Sequence, residues 1–354
     1  MVKEQLHKLK QTSNSFQCRG IVMGTESKKF YKDGIGSNKD GISVNFGVNI
    51  AGKKPVYITL TGYPKKEVYY YKRGETKGEK GNTKAVAWKD RKKSPGEGYN
   101  LIGTKISTGR DEDGNNINTI FTEYDAVNYL HENLKDGDSV FIKGNIEFRS
   151  WTGKNGQTVR SINLVPNQIS YTKNPIDFDA EDFTEMCEFE NTLVFQSIDK
   201  EEDENGKHTG RAILSGYSIG YNSVENVSFI IPTEQEKLAK NLHKAMKTGY
   251  SIKTYGRVNV VIDTTTIEDE SGWGDVSPME RLNAPVRREY IVYRADPNSI
   301  EKKDYDEDSI NEAIRKIKAA KTAKENFGEK PNIDVTVDDD DWGSDDDMDE
   351  DNPW

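Results

Sequence analysis

The sequence predicts a mainly β chain built from two copies of one small barrel, followed by a disordered acidic tail. Three observations carry this expectation. Short runs rich in Val, Ile, Phe and Tyr alternate with Gly-, Asn- and Lys-rich segments. An amphipathic helical pattern interrupts the strands once in each half. A segment of the first half also recurs in the second. Residues 130–140 return as residues 242–252, so that Leu130 matches Leu242, His131 matches His243, Gly137 matches Gly249 and Val140 matches Ile252. The offset of 112 continues through Gly144/Gly256, Ile146/Val258 and Phe148/Val260. A helix end, a turn glycine, a strand start and a mid-strand glycine in one register mark an internal repeat.

In the first copy, strands are expected over 15–24, 42–50 and 56–60, and Asp113-Gly114-Asn115 reads as a hairpin turn. A helix over 123–134 would place Tyr124, Val127, Leu130 and Leu134 on one face, with Thr122 as its N-cap. A strand follows with Val140, Ile142, Gly144, Ile146 and Phe148 on one face, and a last strand over 159–169 returns. Strands, one helix, then two strands is the order of a five-stranded OB-type barrel with its helix between strands 3 and 4. Another small β-barrel or a β-sandwich is the alternative. The second copy spans 184–300, with strands near 188–198, 211–219, 224–231, 250–262 and 287–294 and a helix over 234–247. The expected organisation is an N-terminal arm (1–14), a basic OB domain (15–173), an acidic OB domain (184–300), a helical linker (301–330) and the tail (331–354). Within the linker, Ile310, Ile314 and Ile317 lie near helical spacing.

Composition narrows the class of ligand. Hydrophobic residues make up only 33% of the 354, so part of the chain is expected to be unpacked. No stretch approaches the roughly 18 apolar residues of a membrane span, and no apolar run follows the start as in a signal peptide. Cys18 and Cys187 stand far apart in sequence and read as buried, reduced thiols of a cytoplasmic protein. The net charge of −10 averages unlike regions. Residues 331–354 carry 11 acidic and no basic residues. Residues 1–110 hold 23 basic against 9 acidic, a balance of +14, whereas residues 174–330 hold 21 against 31, or −10. A basic first half suggests an anionic polymer as ligand.

Single strands are held by cations that follow the phosphates and by aromatic planes on which bases stack. The first half interleaves both. Lys53 and Lys54 precede Tyr57; Lys65 and Lys66 precede Tyr69, Tyr71, Lys72 and Arg73; Trp88 is followed by Lys89 and Arg91. In a strand, Tyr69 and Tyr71 would share a surface opposite Tyr70. The loop between strands 1 and 2 offers Lys28, Lys29, Phe30 and Tyr31, and the loop between strands 4 and 5 offers Arg149, Trp151 and Lys154. Some of these aromatics could instead be core. In the second copy the matching loops are acidic, among them Glu201, Glu202, Asp203 and Glu204, and would repel phosphate. That copy is expected to contact protein or to pad the first.

The tail ends Asp349, Glu350, Asp351, Asn352, Pro353, Trp354. A terminal ring, a free carboxylate and nearby acids can dock together into a basic-rimmed pocket, the acids speeding encounter and the ring anchoring it. No phosphate-cradling loop, zinc-ligand spacing or complete calcium loop is present, so neither an enzyme nor a cofactor is expected.

Several features together resemble bacteriophage single-stranded-DNA-binding proteins with tandem OB domains. These are residues 57–62, Trp88 to Arg91, the run from Leu134 through Ile146, residues 164–169 and the acidic tail. In relatives the tail ends in Pro and Phe; here the last residue is Trp. The resemblance implies protection of unwound strands in replication, recombination and repair, with polymerase, helicase or primase recruited by the tail. A recombination or helicase-loading mediator with weak single-strand binding, or an RNA-binding OB protein, is the alternative.

Overall fold

The computed structural model describes residues 5–36, 38–51, 55–76, 79–152, 158–203, 205–262 and 286–326. Its first strand, β1 (Asn14–Met23), alternates so that Phe16, Cys18, Gly20 and Val22 turn inward. After it come β2 (Tyr31–Ile35), β3 (Gly41–Asn49) and β4 (Val56–Gly62). Helix α1 (Glu123–Asn133) precedes β10 (Ser139–Thr152) and β11 (Thr158–Tyr171). The pairings β1–β3, β3–β4, β10–β11 and β1–β10 are antiparallel. Strand β4 meets β11 in parallel at Ile58 and Leu164, so the circuit of five strands returns to β1. Helix α1 begins at Thr122, whose Oγ1 accepts the Asp125 amide, and it buries Ala126, Val127 and Leu130.

The second half repeats this order. Strands β12 (Met186–Glu202), β13 (His208–Ile219) and β14 (Val224–Ile231) come first. Helix α2 (Glu236–Ala245), β15 (Ser251–Ile262) and β16 (Val286–Glu301) follow. Pairings β12–β13, β13–β14, β15–β16 and β12–β15 are antiparallel, and β14 meets β16 in parallel at Ile230 and Ile291. The matching glycines behave alike. Gly137 and Gly249 turn at φ 91° and 86°. The β10–β11 register shifts between Lys143 and Gly144, and the β15–β16 register between Tyr255 and Gly256. A Cβ at Gly144 would fall 2.0 Å from the Val165 carbonyl oxygen, and one at Gly256 would fall 2.2 Å from that of Ile291.

The two circuits are sewn together along β1 and β12. These strands pair antiparallel over six residues, with Phe16 opposite Phe189. Each ring also lies opposite the bulge glycine of its own circuit, Phe16 at Gly144 and Phe189 at Gly256. The junction is therefore close to two-fold about the phenylalanine pair. It brings together the two cysteines that stand far apart in sequence: Cys18 and Cys187 are direct cross-strand partners, and both are buried as expected. Further contacts cross the junction. Phe148 meets Phe229 edge-on at 6.2 Å, and the Ser150 hydroxyl donates to the Glu225 carboxylate.

Strands absent from the sequence reading fill the long stretch between β4 and α1. Strands β5 (Glu67–Lys72), β6 (Asn82–Ala87) and β7 (Asn100–Leu101) form a separate small sheet in the order β6-β5-β7. Strands β8 (Thr104–Arg110) and β9 (Asn116–Phe121) form a hairpin around Gly114, and β8 adds in parallel to β11. The N-terminal segment packs against the second circuit. Leu9 joins Val194, Ile219 and Tyr305 in a small core completed by Ile310 and Ala313 of helix α3 (Glu307–Asn326), with Ile314 packed against it.

Gly144→Ala and Gly256→Ala are each expected to destabilise the fold by roughly 1–3 kcal/mol, because the clash is with backbone that cannot rotate away. Urea unfolding checks this. Burial pushes the Glu225 carboxyl up, against the opposing effects of Ser150, Lys321 and Arg160. A raised carboxyl in the folded state favours folding when protonated, and that contribution is lost as pH rises above the ordinary glutamate value of 4.5. Glu225→Gln should therefore raise the unfolding midpoint at neutral pH and flatten its fall between acid and neutral pH.

Candidate nucleic-acid interface

The small sheet presents the exposed aromatics of the basic segment. Along β5 the side chains alternate. Val68 and Tyr70 are 5% exposed, whereas Tyr69 and Tyr71 are 48% and 42% exposed. The Tyr70 hydroxyl donates to the Arg91 carbonyl, which fixes the buried side of the strand. On the open side, Tyr69 stands opposite Ala85 and Tyr71 opposite Thr83 and Asn100. Gly81 lies against the Tyr71 ring, where a Cβ would fall 2.2 Å from its hydroxyl oxygen, and the rest of both rings stays open. The Ile102 amide donates to the Tyr69 carbonyl, and the Ile102 side chain is itself 57% exposed. The Glu67 carboxylate accepts the Tyr69 hydroxyl and pushes it above its usual range, so the ring stays neutral. Lys66, Arg73, Lys84 and Lys89 are exposed around this sheet, and the Lys84 ammonium lies 4.5 Å from the Tyr99 ring centre. Residues 63–103 hold 11 basic and 5 acidic residues, a balance of +6.

The other expected site residues distribute unevenly. Lys28 is exposed in the turn before β2, and Lys29 beside it is half-buried. Phe30 is not a surface ring. It is 3% exposed, edge-on to Phe46 at 6.4 Å, because β2 folds back and carries it into the core. Tyr31 is half-buried and stacks on His131 at 4.2 Å. Tyr57 faces outward on β4, with the Arg288 guanidinium 5.1 Å from its ring centre. Lys65 pairs with Glu123 at 2.8 Å, and Lys72 is half-buried at the end of β5.

Two expectations need correction. Arg91 is a clamp rather than an open cation. Its Nε and Nη2 donate to the two Asp125 oxygens at 2.8 and 2.9 Å, and its guanidinium lies 4.4 Å from the Trp88 ring centre. Burial alone would raise the Asp125 carboxyl, but hydrogen bonds from Arg91 and Thr122 hold it below the usual range. Trp88, edge-on to Tyr124, thereby ties the small sheet to α1. The segment from Arg149 to Thr152 is strand, not loop: Trp151 is half-buried in β10, opposite Val159. Arg149 pairs with Glu147 at 2.8 Å. Lys53, Lys54, Lys154 and the tail with Asp349, Glu350, Asp351, Pro353 and Trp354 lie outside the described residues.

OB-type barrels also bind through the face of their second and third strands, here β3 and β4, and that face is only half open. Strand β3 is buried from Gly41 to Val48, including Ser43 and Asn45, while β4 shows Tyr57, Thr59 and Thr61 only partly. The exposed stacking surface sits instead on the inserted sheet. Ile102, its third exposed apolar group, gave no signal in the sequence, since one Ile between Leu and Gly has no period. Among the described residues no group of three His, Cys, Asp or Glu side chains could hold a metal ion. Likewise, no described helix is long and apolar enough to cross a membrane.

Arg91→Ala should destabilise the protein by about 2 kcal/mol, the range for charged hydrogen bonds. Chemical denaturation measures this loss, and Lys89→Ala, an exposed neighbour, serves as the near-neutral control.

No curated protein matches the chain. Among solved structures, a deletion mutant of the single-stranded DNA binding protein from Thermus aquaticus aligns with 81% of this chain and 94% of its own. The identity is 9% and the TM-score 0.37, too low for a shared fold to follow. A family model, YorF, matches residues 73–330, which take in β6 to β11, α1 and all of the second circuit but begin after β5. The chain belongs to the YorF family.

Proposed function

We propose that the chain binds single-stranded DNA with little sequence preference, and that it does so without catalysis or cofactor. Each five-strand circuit, with its helix between the third and fourth strands, is read as an OB-type barrel, one over 15–173 and one over 184–300. One observation carries the reading. Tyr69 and Tyr71 stand on one open face of a sheet in the most basic part of the chain, with exposed Ile102 next to its last strand. Flat neutral rings accept unpaired bases of any sequence, and the surrounding lysines and arginines meet the phosphates. A duplex hides its base faces, so this arrangement favours single strands. The acidic tail ending in Trp354 recruits replication proteins of a cytoplasmic machinery acting in replication, recombination and repair.

Fluorescence anisotropy with labelled oligo-dT, duplex and oligo-U tests the proposal. Tight binding to oligo-dT and weak binding to duplex is expected. With about five phosphates neutralised, log K should fall against log salt with a slope near −3.5, at roughly −0.7 per phosphate. Replacing Tyr69 and Tyr71 together by Ala should weaken binding by about 1–3 kcal/mol per stacked base and leave the salt slope unchanged. Equal affinity for duplex and single strand would sink the reading. Partner capture that survives deletion of residues 331–354 would remove the role assigned to the tail.

A further inference from the structure

We propose that Cys18 and Cys187 are a site of reversible disulfide formation, oxidised by a small uncharged disulfide that enters the cavity beside Cys187 and staples β1 to β12. The inference is independent of the nucleic-acid reading.

The chain has two cysteines, and the fold sets them directly opposite each other across the seam of its two circuits. The kind of pairing matters. The Thr192 amide donates to the Ser13 carbonyl at 2.8 Å, which makes residues 13 and 192 a hydrogen-bonded pair. Counting along the antiparallel ladder, odd positions of β1 are hydrogen-bonded pairs and even positions are not. Cys18 and Cys187 therefore occupy a non-hydrogen-bonded pair. There the Cα atoms approach to about 4.5 Å, inside the window a disulfide needs. Both residues face inward, side by side across the ladder.

Access differs between the two. Cys18 is fully buried, whereas Cys187 forms part of the wall of a cavity of about 410 Å³ with Arg257 and Tyr293. Glu185, Glu188 and Glu234 also line it, which disfavours an anionic oxidant and favours an uncharged one. The neighbouring Cys187 thiol and burial push the Cys18 thiol well up, and its complete burial keeps a reagent from reaching it first. The order of events follows. The Cys187 thiolate attacks one sulfur of the reagent and releases one small thiol. The Cys18 thiolate then attacks the Cys187 sulfur of the mixed disulfide and releases the second. Two protein thiols become one disulfide while one reagent disulfide becomes two thiols, so hydrogens and electrons balance.

The probe is bis(2-hydroxyethyl) disulfide, applied to the folded, full-length protein and followed by intact mass and peptide mapping. The expected product has lost two hydrogens, carries no adduct, and links the Cys18 and Cys187 peptides. Its unfolding midpoint in guanidinium should lie above that of the reduced protein. Cys18→Ser should hold one mercaptoethanol adduct on Cys187, and Cys187→Ser should leave Cys18 unmodified. The wild-type result stands without the variants. If folded wild type keeps both thiols free over a time in which guanidinium-unfolded protein oxidises fully, the proposal is overturned. Stable adducts on both cysteines would overturn it equally.

Discussion

The structure depends on the antiparallel pairing of β1 with β12. Strand β1 is hydrogen-bonded to β10 and β3 within its own circuit and to β12 of the other, so both edges of its ladder are in use. The pairing is close to two-fold about Phe16 and Phe189, and each ring lies opposite a glycine where the register of its own circuit shifts. Only glycine allows the neighbouring carbonyl to come so near, and the ring covers the gap left by the missing side chain. The same element thus bends each circuit and joins the two. Joining two small units by backbone pairing removes two exposed strand edges, which would otherwise be sites of aggregation.

Polar groups at the junction and within the second circuit are paired even where burial is costly. Ser150 reaches Glu225 across the junction, and Arg211 is held between Glu201 and Glu289. The N-terminal segment and α3 complete a second small core on the far circuit, through Leu9, Ile310 and Ala313. A segment that composition marks as an arm and one that it marks as a linker are therefore parts of the packed body. Each is too short of apolar residues to fold alone, and each covers the other.

The inserted small sheet shows a division of labour within one charged, aromatic-rich stretch. Tyr70, Trp88 and Arg91 are spent on attachment: Tyr70 bonds to the Arg91 backbone, and Arg91 bridges Trp88 to Asp125 of α1. Tyr69 and Tyr71 are left open on the opposite face. Exposed rings on a three-stranded sheet need a rigid support, and the clamp supplies it from residues next in sequence. An aromatic beside a cation is thus ambiguous in sequence. Trp88 with Arg91 is a structural pair, while Tyr69 beside Lys66 and Arg73 remains accessible.

The sequence by itself determined the strands and helices with clear periods and their duplication. The strands β1, β10 and β14, the capped helix at Thr122 and the 112-residue offset all reappear, and the matching glycines Gly144 and Gly256 prove to be sites of register shifts. It also placed Tyr69 and Tyr71 on one face, because side-chain direction in a strand is a local, two-residue property. Tertiary structure decided what has no local period. Strands β5, β6 and β7 are short and broken by Lys and Gly, and they form only because they pair with each other. Phe30 became core because β2 folds back over β3, and Trp151 became strand because β10 and β11 extend each other well past the barrel register expected. The meeting of Cys18 with Cys187 lies furthest beyond sequence. It depends on which strand of one circuit pairs with which strand of the other, a choice made by surfaces that exist only after both have closed.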